Sequence, residues 1–316
     1  MPSDPYLSFP TVASPASESP MSIAFATDIG GSRLQQDRAK ISSDSLRAVV
    51  CDGHGRRGEE FAQAVVDFQM SNTFAKPTEL FSATDAHIRS ILPPAFSREV
   101  GGTSCTHLSF DPEKGVTISN IGDSSARFWD AEGAGVAASV DHCPSDKEEF
   151  SRIVGLGGQC TFHDMHNIYA KGKQPVFIKD GDDLVYNTGG GYYYKNCHQQ
   201  FSSYFETPDT HFGFQSRLAM TRAFGDYVMC PFGLSVEPSV VVLPPTDCVR
   251  AIVMASDGLW DVMKNEDIGA IVRNPTFLDS RDATGASAAI MEASLQAARR
   301  LFGPSSDNVT VLVAYI

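Results

Sequence analysis

Four times in this chain an apolar, β-branched run stops at an aspartate next to glycine or asparagine. The four places are Val49-Val50-Cys51-Asp52-Gly53-His54-Gly55, Ser119-Asn120-Ile121-Gly122-Asp123-Ser124, Met254-Ala255-Ser256-Asp257-Gly258 and Ser305-Ser306-Asp307-Asn308-Val309. A strand that ends on an aspartate fixes the carboxylate at the rim of a sheet, and the adjacent glycine lets backbone or ligand come close. One Asp-Gly alone is an ordinary turn. If several such strand ends meet, their carboxylates cannot all stay ionised unless cations neutralise them. Oxygen ligands of this kind select hard ions such as magnesium or manganese over zinc.

The pattern around these points mixes strands and helices. Short β-branched runs predict strands over 22–27, 47–51, 116–121, 250–254 and 309–316. Phe61, Ala64, Val65 and Phe68 fall at helical spacing and predict a helix from residue 58. Met291, Leu295, Ala298 and Phe302 mark a second helix over about 287–302. Strands come in neighbouring groups without a helix after each, which favours an α+β fold over a doubly wound parallel sheet. Residues 1–20, rich in proline and serine, read as a flexible tail without the basic start or apolar stretch of a secretory signal.

With 42% hydrophobic and 20% charged residues the 316-residue chain can bury a substantial core. No apolar run reaches the roughly 18 residues a membrane span needs. A net charge of −13 suits neither a nucleic-acid backbone nor an anionic membrane surface. Seven scattered cysteines, none in a Cys-x-x-Cys pair, argue against a zinc knuckle or a disulfide framework. They read as reduced thiols in a cytoplasmic or nuclear protein, and Cys51, next to Asp52 on a strand, is expected to point into the core.

Taken together, the motifs resemble the metal-dependent serine/threonine phosphatases of the PP2C (PPM) type. The matching segments are Gly31-Ser32-Arg33 with Gln36-Asp37, Asp52-Gly53-His54-Gly55, Gly101-Gly102-Thr103-Ser104, Asn120-Ile121-Gly122-Asp123-Ser124 and Asp141-His142-Cys143-Pro144. Glu149, Arg152-Ile153, Leu218 to Asp226, Glu237-Pro238, Asp257-Gly258-Leu259-Trp260-Asp261 and Ser306-Asp307-Asn308 continue the series in the family's order. The resemblance implies a four-layer α-β-β-α sandwich in which two central antiparallel sheets hold two manganese or magnesium ions. Asp52 would bridge both ions, with the Gly53 carbonyl as a further ligand. Asp257 and Asp307 would hold the first ion and Asp37 would sit at the second, or just outside it through water. Asp123, with Asp257, matches a weaker third-ion position. Arg33 matches the residue that grips the substrate phosphate, and His54 the proton donor to the leaving alkoxide. Asp226 and Asp261 also match family positions and equally suit the bracing of loops.

The implied reaction is hydrolysis of phosphoserine and phosphothreonine in proteins, by a hydroxide bridging the two ions, in an enzyme that is usually monomeric. Its chemical needs are definite. A serine or threonine alkoxide is a poor leaving group and must be protonated, and hydroxide at neutral pH requires a metal to lower the pKa of water.

Three features depart from the family pattern: glutamine at Gln36 where glutamate is frequent, an Arg33 to Asp37 spacing one residue short, and Ser125 where arginine commonly follows Gly-Asp-Ser. They support an alternative reading as a pseudophosphatase scaffold, which retention of Asp37, Asp52, Asp257 and Asp307 opposes. A hydrolase of small phosphate esters is a third reading. The stretch 158–215, rich in Gly, Tyr, His and Asp, has little periodicity and takes the place of the family's flap, several tens of residues longer than compact forms. Within it, Asp180-Gly181-Asp182-Asp183 reads as an exposed turn and His163 with His166 as a loop pair. Tyr192 to Tyr194, Phe201, Tyr204 and Phe205 could cover a substrate or pack the loop itself.

Overall fold

The computed structural model describes residues 21–91, 101–130, 133, 135–162, 174–189, 195–208, 215–244 and 249–316. Along the chain, β1 (Ser22–Asp28), β2 (Arg38–Ile41), β3 (Arg47–Cys51) and β4 (Gly53–Gly55) lead to α1 (Gly58–Ser71) and α2 (Pro77–Ile91). Next come β5 (Gly101–Thr103), β6 (Cys105–Asp111), β7 (Gly115–Ile121), β8 (Ser125–Asp130) and β9 (Gly135–Ala137), then α3 (Lys147–Gly155). Seven short strands follow: β10 (Gln159–Phe162), β11 (Gln174–Pro175), β12 (Phe177–Asp180), β13 (Asp183–Tyr186), β14 (Ser203–Glu206), β15 (Arg217–Leu218) and β16 (Phe224–Gly225). The remaining elements are β17 (Ser239–Leu243), β18 (Val249–Ala255), α4 (Asp257–Trp260), α5 (Asn265–Val272), α6 (Pro275–Leu278), α7 (Ala283–Phe302) and β19 (Val309–Tyr315).

Two five-stranded sheets carry the fold, in the orders β1-β19-β18-β8-β9 and β17-β7-β6-β3-β2. Neighbouring strands in both run antiparallel. Period-two alternation explains why they stack. In β18, Ile252 and Met254 face the other sheet, while Ala251, Val253 and Ala255 face the helices α4, α5 and α7. β19 repeats this, with Leu312 and Ala314 between the sheets and Val311, Val313 and Tyr315 on the helical side. In β3, Ala48 and Val50 join the core between the sheets, whereas Val49 and Cys51 pack under α1 and α2. The layers are therefore α-β-β-α, and Cys51 is a fully buried core residue as its strand position requires. The six described cysteines are all free, and no helix among the described residues is long and apolar enough to cross a membrane.

The five strands expected from the sequence are all present, with ends displaced by at most one residue. The last helix starts at Ala283, ahead of the expected 287, because Asp282 caps it by accepting a hydrogen bond from Gly285 N–H. The region 158–215 departs more from its loop-like sequence. It contributes three strands of a four-stranded sheet, β11-β10-β14-β15, whose last strand lies just beyond it, and the separate hairpin β12-β13. Cys160, Phe162, Val176, Phe177 and Phe205 bury with Phe150 and Ile153 of α3 in a core of their own. Strands only two to four residues long are too short to show a period in sequence. Asp180 to Asp183 is the exposed turn of the hairpin. His163, His166 and Tyr192 to Tyr194 lie outside the described residues, as does the tail 1–20.

Candidate metal centre and active site

Each candidate carboxylate is placed by a backbone junction that leaves little freedom. Asp52 sits where β3 of one sheet passes into β4 of a small three-stranded sheet, β16-β5-β4. Its carbonyl accepts hydrogen bonds from Ser104 N–H and Thr103 Oγ1, both at 2.9 Å. The peptide is pinned, and the half-buried side chain leaves the strand end. Gly53 has no room for a side chain, since a Cβ would come within 2.5 Å of Gly58 O. Asp257 opens α4 directly after β18. The preceding Ser256 bonds across to β19 through Ser256 N–H to Thr310 O and Thr310 N–H to Ser256 Oγ. The Ser256 hydroxyl donates to Asp37 Oδ2 at 2.8 Å, so one serine fixes two of the acids.

Asp307 precedes β19, and its Oδ1 accepts from Asn308 N–H. The Asn308 amide then clips the 29–36 loop, donating to Ile29 O at 2.9 Å and accepting from Gln36 N–H at 2.8 Å. Gly30 and Gly31 permit this close approach, as a Cβ would fall 2.0 Å from Asp307 O and 2.2 Å from Pro304 O respectively. Arg33 rides on that loop and is exposed. Asp123 follows Gly122, whose φ of +90° and contact with Ser104 favour glycine.

These acids share one electrostatic field. Burial pushes the Asp37 carboxyl up to about 7, reinforced by the charges of Asp257 and Asp307 against the Ser256 hydrogen bond. Asp52 is pushed well above the carboxylate range by loss of water and by Asp37, Asp257, Asp307 and Asp123. Asp307 rises to about 6 through desolvation by the surrounding protein and the Asp257 charge, although solvent touches its side chain. The Asp37 Oδ1 and Asp123 Oδ1 atoms are buried without a hydrogen-bond partner. Among the described residues no three His, Cys, Asp or Glu side chains close tightly enough to form a ready-made metal cage. The fit to a cation rests on donor chemistry: oxygen atoms only, orphaned acceptors and mutual repulsion that positive charge relieves.

His54 lies beside this group. Its Nε2 is 2.6 Å from Oδ2 of Asp226, whose side chain is fully buried. Burial would lower the His54 pKa, but the Asp226 charge and hydrogen bond outweigh it and raise the value. The Gly101-Gly102 motif makes the pair possible, because a Cβ on Gly102 would meet Asp226 Oδ2 at 2.4 Å. Asp226 N–H also donates to Gly101 O.

Two departures from the family pattern acquire local explanations. Gln36 Nε2 donates to Gly55 O and to Glu59 Oε2, both at 3.1 Å; a glutamate could donate to neither. The buried Ser125 hydroxyl donates to Asp141 Oδ1. The guanidinium on this face of β8 belongs to Arg127, two residues on, which lies 5.0 Å from the Trp260 ring.

One participant has no sequence signal. Lys195, in the 158–215 region, puts its ammonium 3.2 Å from Asp257 Oδ2, 3.5 Å from Asp261 Oδ2 and 3.6 Å from Asp123 Oδ2. Asp261 also receives the Cys197 N–H at its carbonyl, 2.8 Å away, so it braces a loop as well as facing the centre. A cavity of about 460 Å³ opens beside these groups, lined by Asp123, Lys195, Tyr204, Asp257, Trp260 and Asp261. Phe201 and Tyr204 border it, while Phe205 is fully buried in the neighbouring core.

Comparison with known proteins agrees with this architecture. The model of the Protein phosphatase 2C family matches residues 48–300. Protein phosphatase 2C 37 of Arabidopsis thaliana is 29% identical over 221 residues, 68% of this chain and 42% of the relative. Probable protein phosphatase 2C 41 of the same plant is 27% identical over 279 residues, 77% of this chain and 68% of the relative. The chain thus spans about half the length of the curated relatives it matches. Among solved structures, serine-threonine phosphatase 2C from Toxoplasma gondii superposes with a TM-score of 0.69 at 21% identity, covering 96% of this chain and 98% of the other. A sex determining protein of C. elegans gives a TM-score of 0.62 at 20% identity, covering 93% of this chain and 64% of the other. This chain belongs to the protein phosphatase 2C family.

Proposed function

We propose that this protein is a protein serine/threonine phosphatase using two manganese or magnesium ions, as members of its family are in general metal-dependent. The observation that carries the reading is the convergence of Asp37, Asp52, Asp257 and Asp307 into one field, with the His54–Asp226 pair beside it. Asp52 and the Gly53 carbonyl, with Asp257, Asp307 and Asp37, would hold the ions. When bound, the ions lower the pKa of water and offset the repulsion between an incoming nucleophile and a phosphate dianion. Arg33 forks onto phosphate oxygens at the rim. His54 hands its proton to the departing serine or threonine oxygen, and Asp226 holds the imidazole at the angle this requires. The 158–215 region acts as the flap and sets the choice of phosphoprotein.

Hydrolysis of a phosphothreonine peptide tests the reading. Phosphate release with manganese, abolished by excess chelator and by Asp257→Ala, is the expected result. No turnover at millimolar manganese in folded protein would favour a binding scaffold.

A further inference from the structure

The acids of the cleft divide into two groups by what neutralises them. The Ser256 hydroxyl donates to Asp37 Oδ2 and Asn308 N–H to Asp307 Oδ1, the donors at Asp52 go to its backbone carbonyl, and among the described residues no cationic side chain forms an ion pair with any of the three. Asp123 and Asp261 share Lys195 with Asp257, which stands between the groups. The lysine is delivered by a built knuckle. Lys195 N–H donates to Gln200 O at 2.7 Å, and Asn196 Nδ2 donates to Gln200 Oε1 at 3.0 Å and to Asp261 Oδ1 at 3.4 Å. Cys197 N–H closes the contact on Asp261 O. These bonds fix the backbone from which the lysine side chain starts, beside the three carboxylates.

We propose that Lys195 is the resident cation of the Asp123–Asp257–Asp261 group: its ammonium takes the position an outer divalent ion would need and latches the 195–206 segment onto the centre. The proposal rests on the two-ion reading of the inner group. Distances favour the ammonium. Nitrogen-to-oxygen separations of 3.2–3.6 Å are those of an ion pair, whereas magnesium needs oxygen at about 2.1 Å. A divalent ion would have to expel a half-buried lysine held by three carboxylates. Accordingly the centre takes external ions only at the inner group, and the substrate cavity keeps one fixed wall.

The test uses the full chain and manganese alone. Bound ions are counted by equilibrium dialysis with metal analysis for the natural protein, Lys195→Met and Lys195→Arg. Lys195→Met is expected to hold one ion more than the natural protein, and Lys195→Arg the same number as it. Equal non-zero counts for the natural protein and Lys195→Met overturn the proposal. A count of zero in both overturns the two-ion reading and the proposal with it, which separates the two failures. A second measurement needs no variant: acetylation rates of individual lysines read by mass spectrometry. Lys195 should react at least tenfold more slowly than the exposed Lys114 and Lys179, without manganese and in its excess. Labelling as fast as theirs in either condition overturns the latch.

Discussion

The inner and outer carboxylates are the same residue type, yet they solve the problem of their charge differently. Asp37, Asp52 and Asp307 hang from the ends of the two central sheets; that frame gives the Asp37 carboxylate a hydroxyl donor and the Asp307 carboxylate an amide donor, grips Asp52 by its carbonyl, and among the described residues pairs none of them with a cationic side chain. The outer pair, Asp123 and Asp261, meets a cation from 158–215, a region with its own small core. The contrast shows in the ammonium itself. Burial works against a charged lysine, but Asp257, Asp123 and Asp261 raise Lys195 well above the ordinary range. A rigid frame of antiparallel strands can fix carboxylates closely enough to repel. Relief then comes either from outside the chain or from a distant segment of it.

Breaking the inner group should have the largest effect. Asp52→Asn is expected to lower kcat on a phosphopeptide a hundredfold or more, ~2.7 kcal/mol of barrier. The melting temperature of the metal-free protein should hold or rise, because one source of repulsion is gone. A fall in both activity and metal-free stability would show that Asp52 serves the fold.

The same repulsion predicts a pH dependence of stability. Asp37 titrates at about 7 in the folded protein against an ordinary value of 3.8. Below the lower value both states are protonated and the folded state carries no penalty. Between the two values only the unfolded chain releases the proton, so stability falls as pH rises and the loss is complete above the higher value. The metal-free protein should lose on the order of 2 kcal/mol across this interval by chemical denaturation, and manganese should flatten the slope. A metal-free protein that gains stability over the interval would contradict the shared field.

The His54–Asp226 pair offers a finer cut. Asp226→Asn should cost about tenfold in kcat on phosphopeptide, ~1.4 kcal/mol. It should also move the alkaline limb of the pH profile to lower pH, since Asp226 is what raises His54. An aryl phosphate, whose leaving group needs no proton, should be nearly indifferent. Equal losses on both substrates would remove His54 from the role of acid.

How much of this was legible beforehand follows from how each part is encoded. The four strand-end aspartates were readable because a short apolar, β-branched run and its stop lie within one window, as in Val49 to Gly55. The unbroken apolar run Ala251 to Ala255 likewise suits a strand buried on both faces, as it is in the structure. Lys195 had no such signal. It reaches Asp257 across 62 residues of sequence, and nothing in Tyr194-Lys195-Asn196 marks a partner. Asp226 was visible as a motif residue, but its bond to His54 arises only when β16 pairs with β5 and β5 with β4. The strands of 158–215 were missed because none exceeds four residues.

The smallest expected effect separates a lost ligand from an adapted one. Gln36 stands where glutamate is frequent, next to Asp37 and thus next to the inner group. As a carboxylate it would face Glu59 Oε2, now 3.1 Å from the amide nitrogen, and would present an acceptor to Gly55 O. Two donated hydrogen bonds would become one repulsive contact and one unpaired carbonyl at a partly exposed site. Gln36→Glu should therefore cost about 1 kcal/mol in the metal-free protein, measured by denaturant unfolding. A second substitution, Glu59→Gln, restores a donor opposite the new carboxylate and should recover most of the loss. If Gln36→Glu instead stabilises the protein once manganese is present, the glutamine is a weakened ligand, and the inner group has given up charge at this edge.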